Sequence, residues 1–354
     1  MRSFCVVNTL SIAKSLGKLS LHWLDKNFSY RKKTVRRLVQ QSGYSKTMAG
    51  AMLDALFKEL RYPKLMKLLK SELRDPRVLD EFRKDPVGGH WVRARGPGRI
   101  LHILSGNVPQ PAIMSFILGM LVKSRNIGKV SSRDPGFLDI YLESLKKTDP
   151  RLAAANSLIR PGDKRALERA IQEADLVVAY GDDRTLEWIR VRLPPQAEYF
   201  GYRHRVSYGL FMKGSLRSKG AVSLARKAAR DVWMVNRRGC LSPLLFYVQR
   251  GGEVSPEHFA GMVVRKLGVV NQEAGVKPFR DIGKVFSALA SHSRHLQCVA
   301  LEAPHRERLK LAARLGGLGF NRICRAGQMQ NPPLTWHHDG KFNLASWVTW
   351  TDLE

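Results

Sequence analysis

The run Arg99-Ile100-Leu101-His102-Ile103-Leu104, followed by Ser105-Gly106-Asn107-Val108-Pro109, decides the fold. Its apolar residues do not alternate with polar ones, as expected of a strand covered on both faces. The loop leads into an apolar helical pattern from about Ala112 to Lys123. Strand, loop and helix in that order are the repeating unit of a parallel α/β sheet.

Downstream the alternation continues. A short strand is expected near Ile127 to Val130, a helix near Gly136 to Lys147, and another strand at Leu158-Ile159. A helix over Lys164 to Ala174 precedes the strand Leu176 to Tyr180, and Gly181-Asp182-Asp183 turns into a further helix. Upstream, Asp85-Pro86, Gly88-Gly89 and Gly96-Pro97-Gly98 mark a boundary. Before it, Val35 to Gln41 and Met48 to Leu60 carry apolar residues at spacings of three and four, so residues 1 to about 90 read as helical. Ser45 is a candidate N-cap, and Pro63 opens or interrupts a helix. The fingerprint G-x-G-x-x-G follows none of these strands, so a conventional dinucleotide loop is unsupported.

With 354 residues, 44% hydrophobic and 25% charged, the chain has the composition of a globular protein large enough for two domains. The formal net charge of +30 narrows the partners to nucleic acid, anionic membrane, or acidic cofactors and carriers. Basic residues are spread along the chain, and clusters such as Arg31-Lys32-Lys33 read as solvated helix faces. No nucleic-acid module or interleaved aromatic platform is apparent, so nucleic acid is not the expected partner. The best apolar run, Ala112 to Val122, is about half of what a membrane span needs. Four cysteines (Cys5, Cys240, Cys298, Cys324) without CxxC spacing suit a reducing compartment, and a cytoplasmic protein is expected.

Asn236-Arg237-Arg238-Gly239-Cys240-Leu241-Ser242-Pro243 precedes a strong strand, Leu244 to Val248. A cysteine in a turn before a buried strand can expose its sulfur beside free backbone amides. Such amides stabilise a thiolate and later an oxyanion, and two neighbouring arginines would lower the thiol pKa. The plainer reading of Cys240 is a small buried hydrophobe.

Gly106-Asn107-Val108-Pro109, Lys129-Val130-Ser131-Ser132-Arg133-Asp134-Pro135, Tyr180-Gly181-Asp182-Asp183 and Gly239-Cys240-Leu241-Ser242-Pro243 occur in that order. With the ending Gly327-Gln328-Met329-Gln330-Asn331-Pro332-Pro333 and Trp336-His337-His338-Asp339-Gly340, they resemble the fatty acyl-CoA reductase family of bacterial bioluminescence. That resemblance implies an aldehyde dehydrogenase-like α/β fold. A cofactor domain with a mostly parallel sheet is joined to a smaller catalytic α/β domain and a helical N-terminal region. The corresponding bounds are 1–90 for the helical region, 91–230 for the dinucleotide-binding domain, 231–325 for a shortened catalytic domain and 326–354 for a C-terminal return. The shortening is expected around Leu289 to His295.

The resemblance further implies NADPH-dependent reduction of a long-chain acyl-CoA or acyl-carrier thioester to the aldehyde, with Cys240 as nucleophile. An acyl-transferring partner protein and a homo-oligomer are also expected. Asn107 matches the asparagine of the oxyanion hole; otherwise it is a turn residue before Pro109. Lys129 matches the lysine that holds the adenosine ribose, or is a solvated strand end. Ser132 and Arg133 stand where a glutamate would repel a 2′-phosphate, which favours NADPH. Gly181 matches the glycine opening the helix that faces the pyrophosphate, though two aspartates follow and a turn glycine is the alternative. His204 stands near the position of the glutamate that activates water in hydrolytic relatives; without that base the acyl thioester persists, and the imidazole can take the Cys240 proton. A surface histidine is the alternative for His204, and a packed tail for His337 and His338, whose spacing offers no metal site. Two rivals remain: an impaired family member that binds cofactor or acyl group, and a basic nucleic-acid-binding protein.

Overall fold

The computed structural model describes residues 7–106, 108, 110–267 and 275–354. The chain divides into two compact units: Met1–Arg203 with Pro333–Thr335 and Lys341–Glu354, and His204–Pro332 with Trp336–Gly340.

The first unit opens with four helices, Thr9–Leu24, Ser29–Ser42, Lys46–Glu59 and Tyr62–Leu73. Asn8 caps the first by accepting from the Ser11 N–H at 2.8 Å, and Ser45 caps the third by accepting from Met48 N–H at 3.1 Å. Pro63 stands in the first turn of the fourth, where its missing N–H costs nothing. The apolar stripe Ile12, Leu16, Leu19 and Trp23 is buried, and Trp23 stacks on Phe57 with ring centroids 4.8 Å apart. A two-residue strand β1 (Arg83–Lys84) and β2 (Trp91–Arg95) pair antiparallel, and β2 also takes the C-terminal strand Thr349–Leu353 as an antiparallel neighbour.

Five strands follow: β3 (Arg99–Ile103), β4 (Arg125–Lys129), β5 (Asn156–Ile159), β6 (Leu176–Tyr180) and β7 (Glu198–Tyr202). They form one parallel sheet in the order β5-β4-β3-β6-β7. Helices Gln110–Leu121, Phe137–Thr148, Lys164–Gln172 and Asp183–Arg190 make the crossovers. The winding reverses between β3 and β6, which opens a crevice at the carboxyl ends of those strands. His102 is fully buried in β3, with Nδ1 2.7 Å from Ser115 Oγ and Nε2 2.9 Å from Asn126 Oδ1. Burial drives its pKa down to about 4, so it is a neutral core histidine bonded on both sides.

The second unit repeats this winding. Its strands are β8 (Val206–Phe211), β9 (Pro243–Gln249), β10 (Val276–Phe279), β11 (Leu296–Glu302) and β12 (Arg322–Cys324). They form a parallel sheet in the order β10-β9-β8-β11-β12. Strand β8 and most of the helix Ser218–Trp233 lie before residue 231, yet they belong to this unit, because β8 pairs with both β9 and β11. Between β10 and β11 the chain passes through helix Ile282–Ala290 and a single 3-10 turn, Ser293–His295. Among the described residues no helix is long and apolar enough to cross a membrane.

Candidate active site

Cys240 sits in the turn that enters β9, at the amino edge of the second sheet. Two features of the chain fix this turn. Before it, Val235, Asn236 and Arg237 hold φ values of 57°, 49° and 60°, three consecutive non-glycine residues in the left-handed region. Each costs roughly 1–2 kcal/mol there, and for a β-branched valine the conformation is an outlier. Beneath it, the buried Ser207 hydroxyl donates to the Cys240 carbonyl at 2.6 Å and accepts from the Cys298 N–H at 3.1 Å. Ser242 N–H closes the turn onto Gly239 O at 2.9 Å.

Cys240 is exposed as a residue, but the protein packed around its sulfur pushes the thiol up to about 11. The Asp339 carboxylate pushes in the same direction. Against them, the backbone N–H groups of Cys240 and Leu241 and the Arg205 guanidinium favour the thiolate. The expected amides therefore face the sulfur. The expected lowering of the pKa is not found: crowding and a carboxylate outweigh the amides, and the helpful guanidinium is that of Arg205.

Arg205 and Asp339 form a pair, Nη2 to Oδ2 at 2.9 Å and Nε to Oδ2 at 3.2 Å, with the Asp339 side chain 9% exposed. Asp339 Oδ1 is buried without a hydrogen bond, and His338 Nε2 lies 3.9 Å from it. Burial lowers the His338 pKa, as does Arg205, while Asp339 raises it. The sequence reading assigned no role to Arg205 or Asp339. The one signal was that Asp339 lies within the ending Trp336–Gly340, which the resemblance includes.

His204 is exposed and stands just before β8, as Cys240 stands just before its neighbour β9, so both lie at the same sheet edge. The His204 carbonyl is 3.3 Å from His295 Nδ1. Asn107 lies outside the described residues.

The remaining sequence-predicted residues gather at the carboxyl edge of the first sheet. Lys129 ends β4 and lines a groove of ≈ 490 Å³ with Ile103, Leu167, Asp182, Trp188 and Ile189. Ser132 and Arg133 are exposed at the tip of a turn closed by Asp134 N–H to Ser131 O at 3.0 Å. The loop after β3 comes so near this turn that a Cβ on Gly106 would lie 3.0 Å from the Arg133 carbonyl carbon. Arg184 and Thr185 also line the groove, which sets apolar side chains beside two cations and the Asp182 carboxylate. Gly181 precedes helix Asp183–Arg190, but Asp182 already caps that helix by accepting from Thr185 N–H at 2.7 Å. That N–H, and the Asp182 charge, count against a pyrophosphate at this terminus. Among the described residues no cluster of three or more metal-binding side chains occurs.

The family model described as acyl-CoA reductase (LuxC) matches residues 3–274 and 270–350. A long-chain acyl-protein thioester reductase of Photorhabdus luminescens is 28% identical over 243 residues, covering 67% of this chain and 49% of that protein. One from Vibrio harveyi is 24% identical over 272 residues, covering 75% and 55%. The chain spans about half the length of the curated relatives it matches. Its fold is similar to that of an oxidoreductase from Marinobacter aquaeolei, with TM-score 0.73, 11% identity, and coverage of 98% of this chain and 86% of that one. A salicylaldehyde dehydrogenase from Pseudomonas putida G7 gives TM-score 0.72 and 11% identity, covering 99% and 87%. The fold is aldehyde dehydrogenase-like.

Proposed function

Because the chain belongs to the acyl-CoA reductase (LuxC) family, we propose that it reduces an acyl thioester to the aldehyde through an acyl group carried on Cys240. The observation that carries this reading is the Cys240 sulfur in a strained turn, faced by the N–H groups of Cys240 and Leu241.

The sulfur attacks the thioester carbonyl, and the backbone amides bind the oxygen as it becomes negative; Asn107 is proposed to add a further donor. With its pKa raised to about 11, the thiol is protonated at neutral pH and must lose its proton as the bond forms. His204, at the same sheet edge, is the proposed acceptor. The departing thiol takes a proton, and the acyl group stays on Cys240. No glutamate occupies the His204 stretch, Gly201 to Val206, so hydrolysis to the acid is slow. When bound, a nicotinamide cofactor would supply the hydride that reduces the acyl group, and NADPH is the form proposed. Lys129 would hold the adenosine ribose, while Ser132 and Arg133 would meet a 2′-phosphate. Gly181 is proposed at most to leave room near the pyrophosphate, given the Asp182 cap. Expulsion of the Cys240 sulfur then frees the aldehyde.

The relatives' name specifies an acyl-protein thioester, which favours delivery on a protein. A net charge of +30 suits either CoA phosphates or an acidic carrier. A second reading, a cofactor- or acyl-binding member with little turnover, draws support from the raised thiol pKa. NADPH oxidation with acyl-CoA esters of several chain lengths, beside Cys240→Ala, separates the two. Aldehyde formed by the parent and lost in the variant supports the reductase. Cofactor binding without aldehyde supports the second reading.

A further inference from the structure

Among the described residues the mechanism above leaves two cysteines unused. Cys298 is fully buried in the centre of β11, and Cys324 ends β12, half-buried at the edge of the sheet. In the parallel pairing Cys298 lies opposite Arg322 and Ala300 opposite Cys324. Residues 322 and 324 share a face of their strand, so both thiols stand on the same side of the sheet. Their sulfurs are 3.7 Å apart, and Arg322 Nη1 is 3.6 Å from Cys298 Sγ.

The two thiols have unequal surroundings. Burial, first of all, holds the Cys298 pKa well above the ordinary value. The hydrogen bond from Cys298 lowers that of Cys324 despite some burial, and Arg322 adds to the lowering. Cys324 is thus the half-buried thiol of the pair and the one more readily ionised, although Asp231 and Glu302 oppose the lowering, and Cys298 is a buried thiol in contact with it.

We propose that Cys324 and Cys298 form a hydroperoxide-reactive dithiol site, separate from Cys240. The Cys324 thiolate attacks one peroxide oxygen, the O–O bond breaks, and the other oxygen leaves as water or an alcohol after taking a proton. Cys324 is then a sulfenic acid. The Cys298 sulfur attacks the Cys324 sulfur, the S–O bond breaks, and hydroxide leaves as water with the Cys298 proton. Two thiols lose two electrons in all, and one hydroperoxide gains them.

Because the register sets Cys298 and Cys324 diagonally across the strand pair, closing the bond asks for about 1.7 Å of sulfur movement together with a backbone shift of β12 toward β11. Strand β12 can supply it, being three residues long and, among the described residues, paired with β11 alone. The bridge also acts on a neighbouring segment. Arg322 donates to the carbonyls of Met329 at 2.6 Å, Gln328 at 2.7 Å and Asn331 at 3.3 Å. Within that segment Gln330 Nε2 holds Ser242 Oγ at 3.0 Å, two residues from Cys240.

The test exposes the full chain to hydrogen peroxide, digests it without reduction, and maps its peptides. The proposal expects a linked pair of peptides carrying Cys298 and Cys324, lighter by two hydrogens than their sum and separated by dithiothreitol. In Cys5→Ser/Cys240→Ser, where these are the only thiols, both should be lost together; adding Cys324→Ser should leave Cys298 titratable. Cysteines 298 and 324 that stay reduced while free cysteine is oxidised would overturn it. So would irreversible oxidation of Cys324 without a bridge, or a bridge to Cys240. Mapping the parent protein keeps the test valid if a variant fails to fold. The outcome does not depend on whether the chain reduces thioesters.

Discussion

Opposing influences meet at the Cys240 sulfur: surrounding protein and Asp339 favour the thiol, while two amides and Arg205 favour the thiolate. Replacing Asp339 by Asn removes a repelling charge and releases Arg205 from its pair. The midpoint of Cys240 alkylation by iodoacetamide should therefore fall below about 11, whereas Arg205→Gln should raise it. An unchanged midpoint in both variants would show that the pair does not act on the sulfur. The turn's strain gives an independent handle. Arg237 is exposed at φ 60°, a conformation glycine adopts freely. Arg237→Gly should stabilise the protein by about 1 kcal/mol in denaturant unfolding. The amides beside Cys240 were legible because they belong to adjacent residues. Arg205 and Asp339 were not, because they meet across 134 residues of chain.

At the scale of elements, the ending Gly327 to Asn331 is held from two sides. Asp231, on helix Ser218–Trp233, accepts from Gly327 N–H at 2.6 Å and Met329 N–H at 3.0 Å, and Arg322 donates to the carbonyls between and beyond. Burial raises Asp231 from 3.8 to about 7, although both N–H bonds and nearby arginines oppose it. Because the folded value is the higher one, its contribution to stability is fully present below pH 3.8 and is lost as pH climbs through about 7. The unfolding free energy of the parent minus that of Asp231→Asn should fall between about pH 4 and 7, by at most about 1.4 kcal/mol per unit, and flatten above. A difference that does not vary with pH would remove Asp231 as the cause. This hold fastens a segment that reaches Ser242 through Gln330. Strands β3 and β6 were legible as apolar runs between turn signals, while β4 and β5, with only Ile127 and Leu158-Ile159 to mark them, were legible by their place between helical patterns. Strand β12 was not, since three residues, one of them the buried Arg322, carry no periodicity.

For the whole molecule, the two parallel sheets have the same winding, and the proposed roles fall on different edges of them. The carboxyl edge of the first gathers Lys129, Ser132 and Arg133, and the amino edge of the second carries Cys240 and His204. Arg133→Ala should weaken NADPH binding by about tenfold, a typical loss for one charge-assisted contact, and leave NADH nearly unchanged. Equal weakening of both in a fluorescence titration would place Arg133 away from the 2′-phosphate. The central claim is that Cys240 carries the acyl group, and intact-protein mass spectrometry after mixing with a long-chain acyl-CoA, without cofactor, tests it most directly. The account predicts a mass gain of one acyl group on the parent chain, removed by hydroxylamine and absent from Cys240→Ala. An equal gain on the variant, or aldehyde formation by a parent chain that never gains the acyl mass, would contradict it.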